Sequence, residues 1–494
     1  PVGLTLAAAL ARRDVPVRII ERAAARTDKS KALVLWSRTL ELLDIQDCVA
    51  PFLAAGLKGT GARIIAGGRE LVHLGLDRAA TQYNYALFVP QSETERLLAE
   101  ELARYGVTVE RQVELAAFTA APDGVGATLR HLADGREEAV HTSWLCACDG
   151  AHSTVRHGLG VEFTGSTEPS IWILADVMIS GALPVEVTVC WQEDGILAFF
   201  PIAPGRFRII ADVAVAPDGG APSLADVQAL LDRRGPPGLT AHDPVWLSEF
   251  RINERKLKDY RAGPVFLAGD AAHVHSPAGG QGMNTGMQDA MNLAWKLALV
   301  WHGAARPSLL DSYSPERSAI GEQVLRNAGR MTHVAILRNP ILQQVRNAAA
   351  GVLGHIPALR QRLADQLCEL DLHYAESPLT VRVPHAAAHP VPGDRTPDCA
   401  LAAPDGARAG PDGAWGRLHE ALRDGKFLAL SVGAPALSLP ASLARIARAA
   451  QTRPTGPYES GFCYLIRPDA YLALSTPATA PQPVFDYLHG IAAP

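Results

Sequence analysis

The chain nowhere runs for the ~18 consecutive apolar residues that a bilayer-spanning helix needs, which excludes a helical membrane protein. It holds no C-x-x-C, and its seven cysteines are odd in number and widely spaced, so a disulfide framework or a redox dithiol is not expected. A reducing compartment, the cytoplasm, is the expected location. No secretory leader is visible, though a chain opening on Pro1 could have lost one. Positive charge is not in excess either. Lys and Arg number 46 against 51 Asp and Glu, and the net charge of -5 offers no electrostatic case for nucleic acid or a membrane surface. No internal repeat is found.

What is present is ordinary globular composition, 48% hydrophobic and 20% charged, over 494 residues, a length that implies two or three domains. Residues 4–13 read as a helix of small residues and 15–21 as a β-branched strand. QSETERLLAEELARY, 91–105, is an amphipathic helix with Leu97, Leu98 and Leu102 on one side. Alternating segments then lead into SWLCACDG, where Cys146 and Cys148 share one face of a buried strand rather than forming a metal or redox pair. The pattern is mostly β from about 165 to 265 and largely helical over 286–375. A Pro-, Ala- and Gly-rich stretch, 383–414, reads as a linker. Beyond it come a helix in LHEALRD, a strand in KFLALSVG, a helix in SLARIARAAQ, strands in FCYLIR and YLALS, and a helix in VFDYLHGI, which make a small α/β unit.

Three stretches carry chemistry. The opening PVGLTLAAALARRDVPVRIIER places Gly3 before a helix and Glu21 at the end of a strand. A dinucleotide fold uses glycines to bring backbone to a pyrophosphate and an acid to hold the ribose hydroxyls. On its own this stretch reads more plainly as an ordinary helix–strand unit. LCACDGAHSTVRHGLG, 145–160, runs from a strand through Asp149-Gly150 into a short helix that Ser153 can cap and that carries Arg156; on its own, Asp-Gly is a common turn. VFLAGDAAHVHSPAGGQGMNTGMQDAMNLAWKLALVW, 265–301, is the most informative. Gly269-Asp270 ends an apolar strand, where the acid can accept from a sugar-alcohol hydroxyl. The glycines at 279, 280, 282 and 286 let backbone touch a flat ligand at a helix start whose free N–H groups suit an electron-rich carbonyl.

In their order and spacing these stretches resemble the FAD-dependent aromatic hydroxylases, single-component flavoprotein monooxygenases of the para-hydroxybenzoate and phenol hydroxylase type. The resemblance implies an α/β fold: a Rossmann-like FAD-binding domain interleaved with a β-rich substrate domain, followed by a thioredoxin-like C-terminal domain. PGDRTPDCAL (392–401) and YLIRPDAYLAL (464–474) match that last domain of the phenol hydroxylase branch, which includes polyketide-tailoring hydroxylases; without C-x-x-C it is expected to be structural. The implied division is 1–164 for the first part of the FAD domain with a substrate-domain insertion around 60–90, then 165–262, 263–382 and 383–494.

The resemblance also assigns residues. Gly3 and Glu21 would contact the ADP part. Lys31 stands where the family has an arginine near the phosphates, which keeps the charge and loses the bidentate fork; Arg38 is a further candidate. Gln91 and Asp270 would hold the ribityl side, and Asp149 and Arg156 the shared FAD and NAD(P)H motif. Gly269 belongs to the cofactor-binding set, while Pro277 and the loop from Gly279 to Asn284, with Gly280 and Gly282, would lie along the ring, with the N–H groups of Met283 and Asn284 at its pyrimidine carbonyl. Tyr83, Tyr85, Trp191, Phe199 and Pro201 are candidate pocket residues beside Trp172 and Phe200, though the plainer reading is core for Trp172, Trp191, Phe199, Phe200 and Pro201 and half-buried strand or loop for Tyr83 and Tyr85. His273 and His275 read as neutral loop hydrogen-bonders, with no metal expected. No catalytic acid or base is identified.

The implied reaction is hydroxylation of an aromatic or polycyclic phenol with NAD(P)H and O2, FAD serving through a flavin C4a-hydroperoxide and NAD(P)H as transient reductant. A homodimer is left open. Two other readings stand beside it: a reductase or dehydrogenase without oxygen insertion, and a truncated ligand-binding chain. A first β-strand carrying the earlier glycines is expected upstream of Pro1.

Overall fold

The computed structural model describes residues 1–213, 221–387, 389–402 and 416–493; part of the predicted linker, 403–414, lies outside these residues. Helix α1 (Val2–Ala11) buries Thr5 to Leu10 and is followed by β1 (Ile20–Glu21) and β2 (Val34–Leu35). The predicted strand 15–21 is therefore shortened to the two residues that find a parallel partner in Glu110–Arg111. Helix α2 (Ser37–Ile45), a hairpin of β3 (Gly61–Ala66) and β4 (Arg69–Gly75), and α3 (Gln91–Ala103) follow. Strand β5 (Leu145–Ala147) pairs in parallel with a later strand, Val265–Leu267, and these two bring both turns of interest to one edge.

The middle of the chain forms one large sheet. Strands β6 (Thr164–Ser180), β7 (Val187–Gln192), β8 (Gly195–Ala203), β9 (Arg206–Val213) and β10 (Thr240–Lys256) assemble with β3 and β4 into eight strands, closed at one edge by His273–Val274. One face packs on α4 (Leu224–Arg234), whose capping box joins Ser223 and Asp226; Ile173, Val177, Phe199, Phe207 and Ile209 fill that core with Val227, Leu230 and Leu231. The opposite face carries Trp172, Trp191, Ile196 and Ile252.

Strand β11 (Val265–Leu267) leads through the Gly269-Asp270 turn to α5 (Gly282–Trp301), a buried helix that runs through the centre of the molecule. Helices α6 (Tyr313–Ala335), α7 (Pro340–Leu353) and α8 (Pro357–Leu367) complete the helical region. The C-terminal unit is a four-stranded sheet: β12 (Phe427–Val432) pairs in parallel with β13 (Ala447–Thr452) and antiparallel with β14 (Phe462–Ile466), which pairs with β15 (Leu472–Pro477). The sequence reads 442–451 as a helix. The structure corrects this: six parallel pairs with β12 and the burial of Ala447 and Ala450 override the helix preference of alanine and arginine.

Candidate active site

At Gly269 three backbones meet. A Cβ there would lie 2.8 Å from Val2 Cγ2, and one on Gly286 would lie 2.7 Å from the same methyl, so only glycines let α1, the turn and α5 approach this closely. Gly3 serves the same end on the other side of α1, its ideal Cβ falling 3.3 Å from Cys148 Cβ. The Gly269 N–H donates to Asp289 Oδ2 at 2.9 Å, which fixes the turn and aims its neighbour Asp270 outward. Asp270 is reached by solvent, yet loss of hydration pushes its carboxyl up, while His273 and Lys31 pull it down. Among the described residues none donates to it. A carboxylate held in a cleft without a donor fits a hydroxylated ligand.

Other predicted residues gather around the start of α1. Gln91 opens α3; its amide donates to Glu95 at 2.9 Å and its Oε1 accepts the Ala32 N–H at 3.2 Å, which clamps the segment that carries the exposed Lys31. In the second motif Ser153 caps its helix as predicted, and Asp149 Oδ2 accepts the Val155 N–H at 3.2 Å. Arg156 is buried, donating to the carbonyls of Ala271 at 3.1 Å and Ala151 at 2.6 Å, and so ties the two turns together.

The loop before α5, which begins at Pro277, is a cradle built of glycine. Gly279 and Gly280 have φ of +83 and +65, and a Cβ on Gly280 would stand 2.5 Å from Val34 Cγ1. Trp36 Nε1 donates to the Gly279 carbonyl at 2.8 Å. Asn284 is fully buried: it accepts from Trp36 N at 2.9 Å and donates to the Val34 carbonyl at 2.9 Å, so its amide staples β2 to α5. No side chain caps α5, which leaves its first N–H groups, at Gly282 and Met283, and the positive end of its dipole facing this cradle. Gly280→Ala is expected to cost about 2 kcal/mol or more, from the left-handed φ and the clash with Val34. A lowered melting temperature and lower flavin absorbance per protein check it.

Five predicted residues lie elsewhere. Arg38 is not at the phosphates: it is wholly buried, bonded to Glu41 at 2.9 Å and the Asp469 carbonyl at 2.5 Å, with its guanidinium 4.6 Å from the Tyr471 ring, because that side of α2 faces the C-terminal domain. Tyr83 belongs to the core that α2 shares with that domain, and Tyr85 packs against it beneath Lys58. Phe199 is in the core under α4, and Pro201, two residues along the strand, takes the same face. Trp191 remains on the opposite face, with the Arg346 guanidinium 4.2 Å over its ring, beside Trp172, which stacks on Phe250 at 6.3 Å.

Beneath the cradle, His273 Nε2 stands 2.7 Å from Asp289 Oδ2, and Arg317 donates to Asp289 Oδ1 at 2.6 Å. Burial opposes the charge of Asp289, but Arg317 and His273 outweigh it and hold the carboxyl below its usual range. Sequence reasoning missed Asp289 and Arg317. A signal was there: Asp289, Asn292 and Lys296 recur at helical spacing along an otherwise apolar helix. His275 Nδ1 donates to the Ser276 carbonyl at 2.9 Å, and burial brings its pKa down to about 4, so the ring is neutral. Its folded value lies below the unfolded ~6.5, so the unfolded chain binds more protons between those values. Stability is expected to fall by up to about 3 kcal/mol as pH drops from about 6.5 towards 4. Denaturant unfolding across pH should show this slope in the wild type and a flatter one in His275→Gln.

Asp44, Asp398 and His419 also converge, with ligand atoms within 4.8 Å. Their carboxylates are already matched: Asp44 by Gln82 at 2.9 Å and Arg423 at 3.2 Å, and Asp398 by Arg417 at 2.5 Å. The cluster joins α2 to the C-terminal domain.

The profile of the FAD binding domain family matches residues 1–328. The 6-methylpretetramide 4-monooxygenase of Streptomyces rimosus is 36% identical over 96% of this chain and 88% of its own length. The chain belongs to the FAD-dependent aromatic monooxygenases. Among solved structures of this family, the anhydrotetracycline hydroxylase OxyS of Streptomyces rimosus matches with a TM-score of 0.79 and 31% identity, covering 100% of this chain and 97% of that one. The aromatic hydroxylase CabE of angucycline biosynthesis matches with a TM-score of 0.77 and 28% identity, over 100% and 98% of the two chains. The free Asp270 carboxyl, the glycine cradle and the uncapped start of α5 fit the cofactor of such a monooxygenase. No helix among the described residues is long and apolar enough to cross a membrane.

Proposed function

We propose that this flavoprotein monooxygenase hydroxylates a phenolic ring of a polycyclic aromatic compound, with NAD(P)H as the electron donor. The observation that carries the reading is the glycine-built loop 277–282, which packs on Val34 and Trp36 at the uncapped start of α5. When bound, FAD supplies the redox chemistry and the activation of O2. In this reading Asp270 accepts a hydrogen bond from the ribityl chain, and Glu21 accepts one from the ribose. Lys31 faces the phosphates and Gln91 holds the segment that carries it. The N–H groups at the start of α5 stabilise negative charge on the bound ring. The polycyclic class is supported by the named substrates of the tetracycline-type relatives.

The experiment is a spectrum and an oxygen pulse. The purified protein is expected to carry about one FAD per chain. Anaerobic NADPH or NADH should reduce it, faster with a tetracyclic phenol present, and O2 should then yield a product heavier by one oxygen atom. Reduction and reoxidation that give only peroxide with every aromatic compound tried would overturn the reading in favour of a reductase.

A further inference from the structure

The segment 366–371 turns beneath the start of α5. Gln281 Nε2 donates to the Gln366 carbonyl at 2.8 Å, and the Arg38 N–H donates to the Cys368 carbonyl at 3.1 Å. Just after these ties Glu369 takes φ 57, a conformation rare for a residue with a side chain, and turns its carboxyl into the protein, where it is 1% exposed. Gln288, one turn beyond Asn284 on α5, donates its amide to Glu369 Oε2 at 2.5 Å. Oε1 is buried and meets no partner. A buried carboxylate with half of its acceptors unmet is costly, whereas a carboxylic acid is much less so.

We propose that Glu369 is a positioning residue of the flavin site: it stands there as a neutral acid, and its ionisation sets a negative charge beneath the start of α5 that weakens the hold on electron-rich, reduced FAD. The proposal rests on the FAD-binding reading above.

The groups that face Glu369 agree with it. From α6 comes Arg317, whose charge is already engaged by Asp289, with Tyr374 as a second acceptor; from its own segment comes Asp371, a like charge. From α5 come only Thr285 and Gln288, and from α2 the hydroxyl of Thr39, which shares the Gln288 amide at 3.3 Å. Burial dominates and raises the pKa to about 8, with Asp371 adding to it and Gln288, Arg317 and Thr285 opposing. The dipole of α5 favours an anion at its start, and a carboxylate below it opposes the same anion.

Two readouts on the FAD-loaded protein test this. The midpoint potential of bound FAD is followed against pH in the wild type and in Glu369→Gln. Because flavin reduction itself takes up a proton, both proteins lose preference for reduced FAD as pH rises; through about 8 the wild type should lose roughly tenfold more of it than the variant, a common size of coupling between two sites. Infrared difference spectra should show a protonated-carboxyl stretch that disappears over the same range and is absent from Glu369→Gln. Should that variant fail to fold, Gln288→Met removes the amide that favours the ionised form, and the transition should move to higher pH. Parallel potential curves in wild type and Glu369→Gln, or no protonated-carboxyl band at neutral pH, would overturn the proposal. A chain that takes up no FAD while the band still titrates overturns the flavin reading and this proposal with it.

Discussion

Asp289→Ala is expected to destabilise the protein by about 3–5 kcal/mol and to strip it of flavin. The size follows from what the carboxylate does alone. It faces His273 at 2.7 Å and Arg317 at 2.6 Å, and it accepts the Gly269 N–H at 2.9 Å, all within groups at most 1% exposed or wholly backbone. Removing it leaves the Arg317 guanidinium buried beside Tyr374 and the Thr285 carbonyl with no counter-charge, and breaking one side of a buried pair costs about that much. The loss of flavin has a separate cause. With the Gly269 N–H released, the turn that aims Asp270 is no longer fixed. Asp289→Asn keeps a side-chain oxygen for Gly269 but not the charge. Denaturant unfolding should rank Asn between wild type and Ala, and flavin content should follow the same order. Equal flavin content in all three would mean that the turn is held by its glycines and not by Asp289.

The contrast between Asp270 and Arg38 shows what was legible in the sequence. Gly269-Asp270, Ser153 and the glycine cradle are set by local backbone demands: a positive φ, a cap, a close approach. Such demands are written in adjacent residues, so they could be read without knowing what lies across the fold. Arg38 is as plain in the sequence as Lys31, but its partners are Glu41, the Asp469 carbonyl and the Tyr471 ring, and two of these lie more than four hundred residues away. Phe199 makes the same point for a strand. Alternation says that it takes one face of the sheet, and only α4 decides that this face is closed into a core. The strand Ala447–Thr452 failed for the opposite reason, since its local preference was clear and its neighbour in the sheet overrode it. Glu369 gave no signal, because a lone glutamate after a helix is ordinarily a surface residue. Its significance comes from Gln288 and from burial, neither of which spacing reveals.

The same dependence on distant partners ties the C-terminal domain to α5, and Arg467→Met is expected to show it. Arg467 is wholly buried and holds Glu316 at 2.5 Å and 2.9 Å and Asp469 at 3.0 Å and 2.7 Å. Lys296, on α5, adds a third contact to Glu316 at 2.6 Å, while Asn292 and Trp295 of the same helix donate to Asp469. Two cations thus face two carboxylates, and Arg467 is the one that meets both acids. Arg467 and Lys296 outweigh the cost of burial at Glu316 and hold its carboxyl below the usual range. Without Arg467 two buried acids share one lysine, and the loss should reach about 3–5 kcal/mol. Deleting Asp469 as well, in Arg467→Met with Asp469→Leu, restores the balance between Lys296 and Glu316. The double variant should therefore be more stable than Arg467→Met alone, a non-additivity that denaturant midpoints read directly. The cradle and this cluster sit on one rigid helix, with Gly282 at its start and Lys296 near its end. Flavin retention should then fall in Arg467→Met and recover in part in the double variant. If the double variant regains stability but not flavin, the C-terminal domain acts on the cradle through Arg38 and Glu41 rather than along α5.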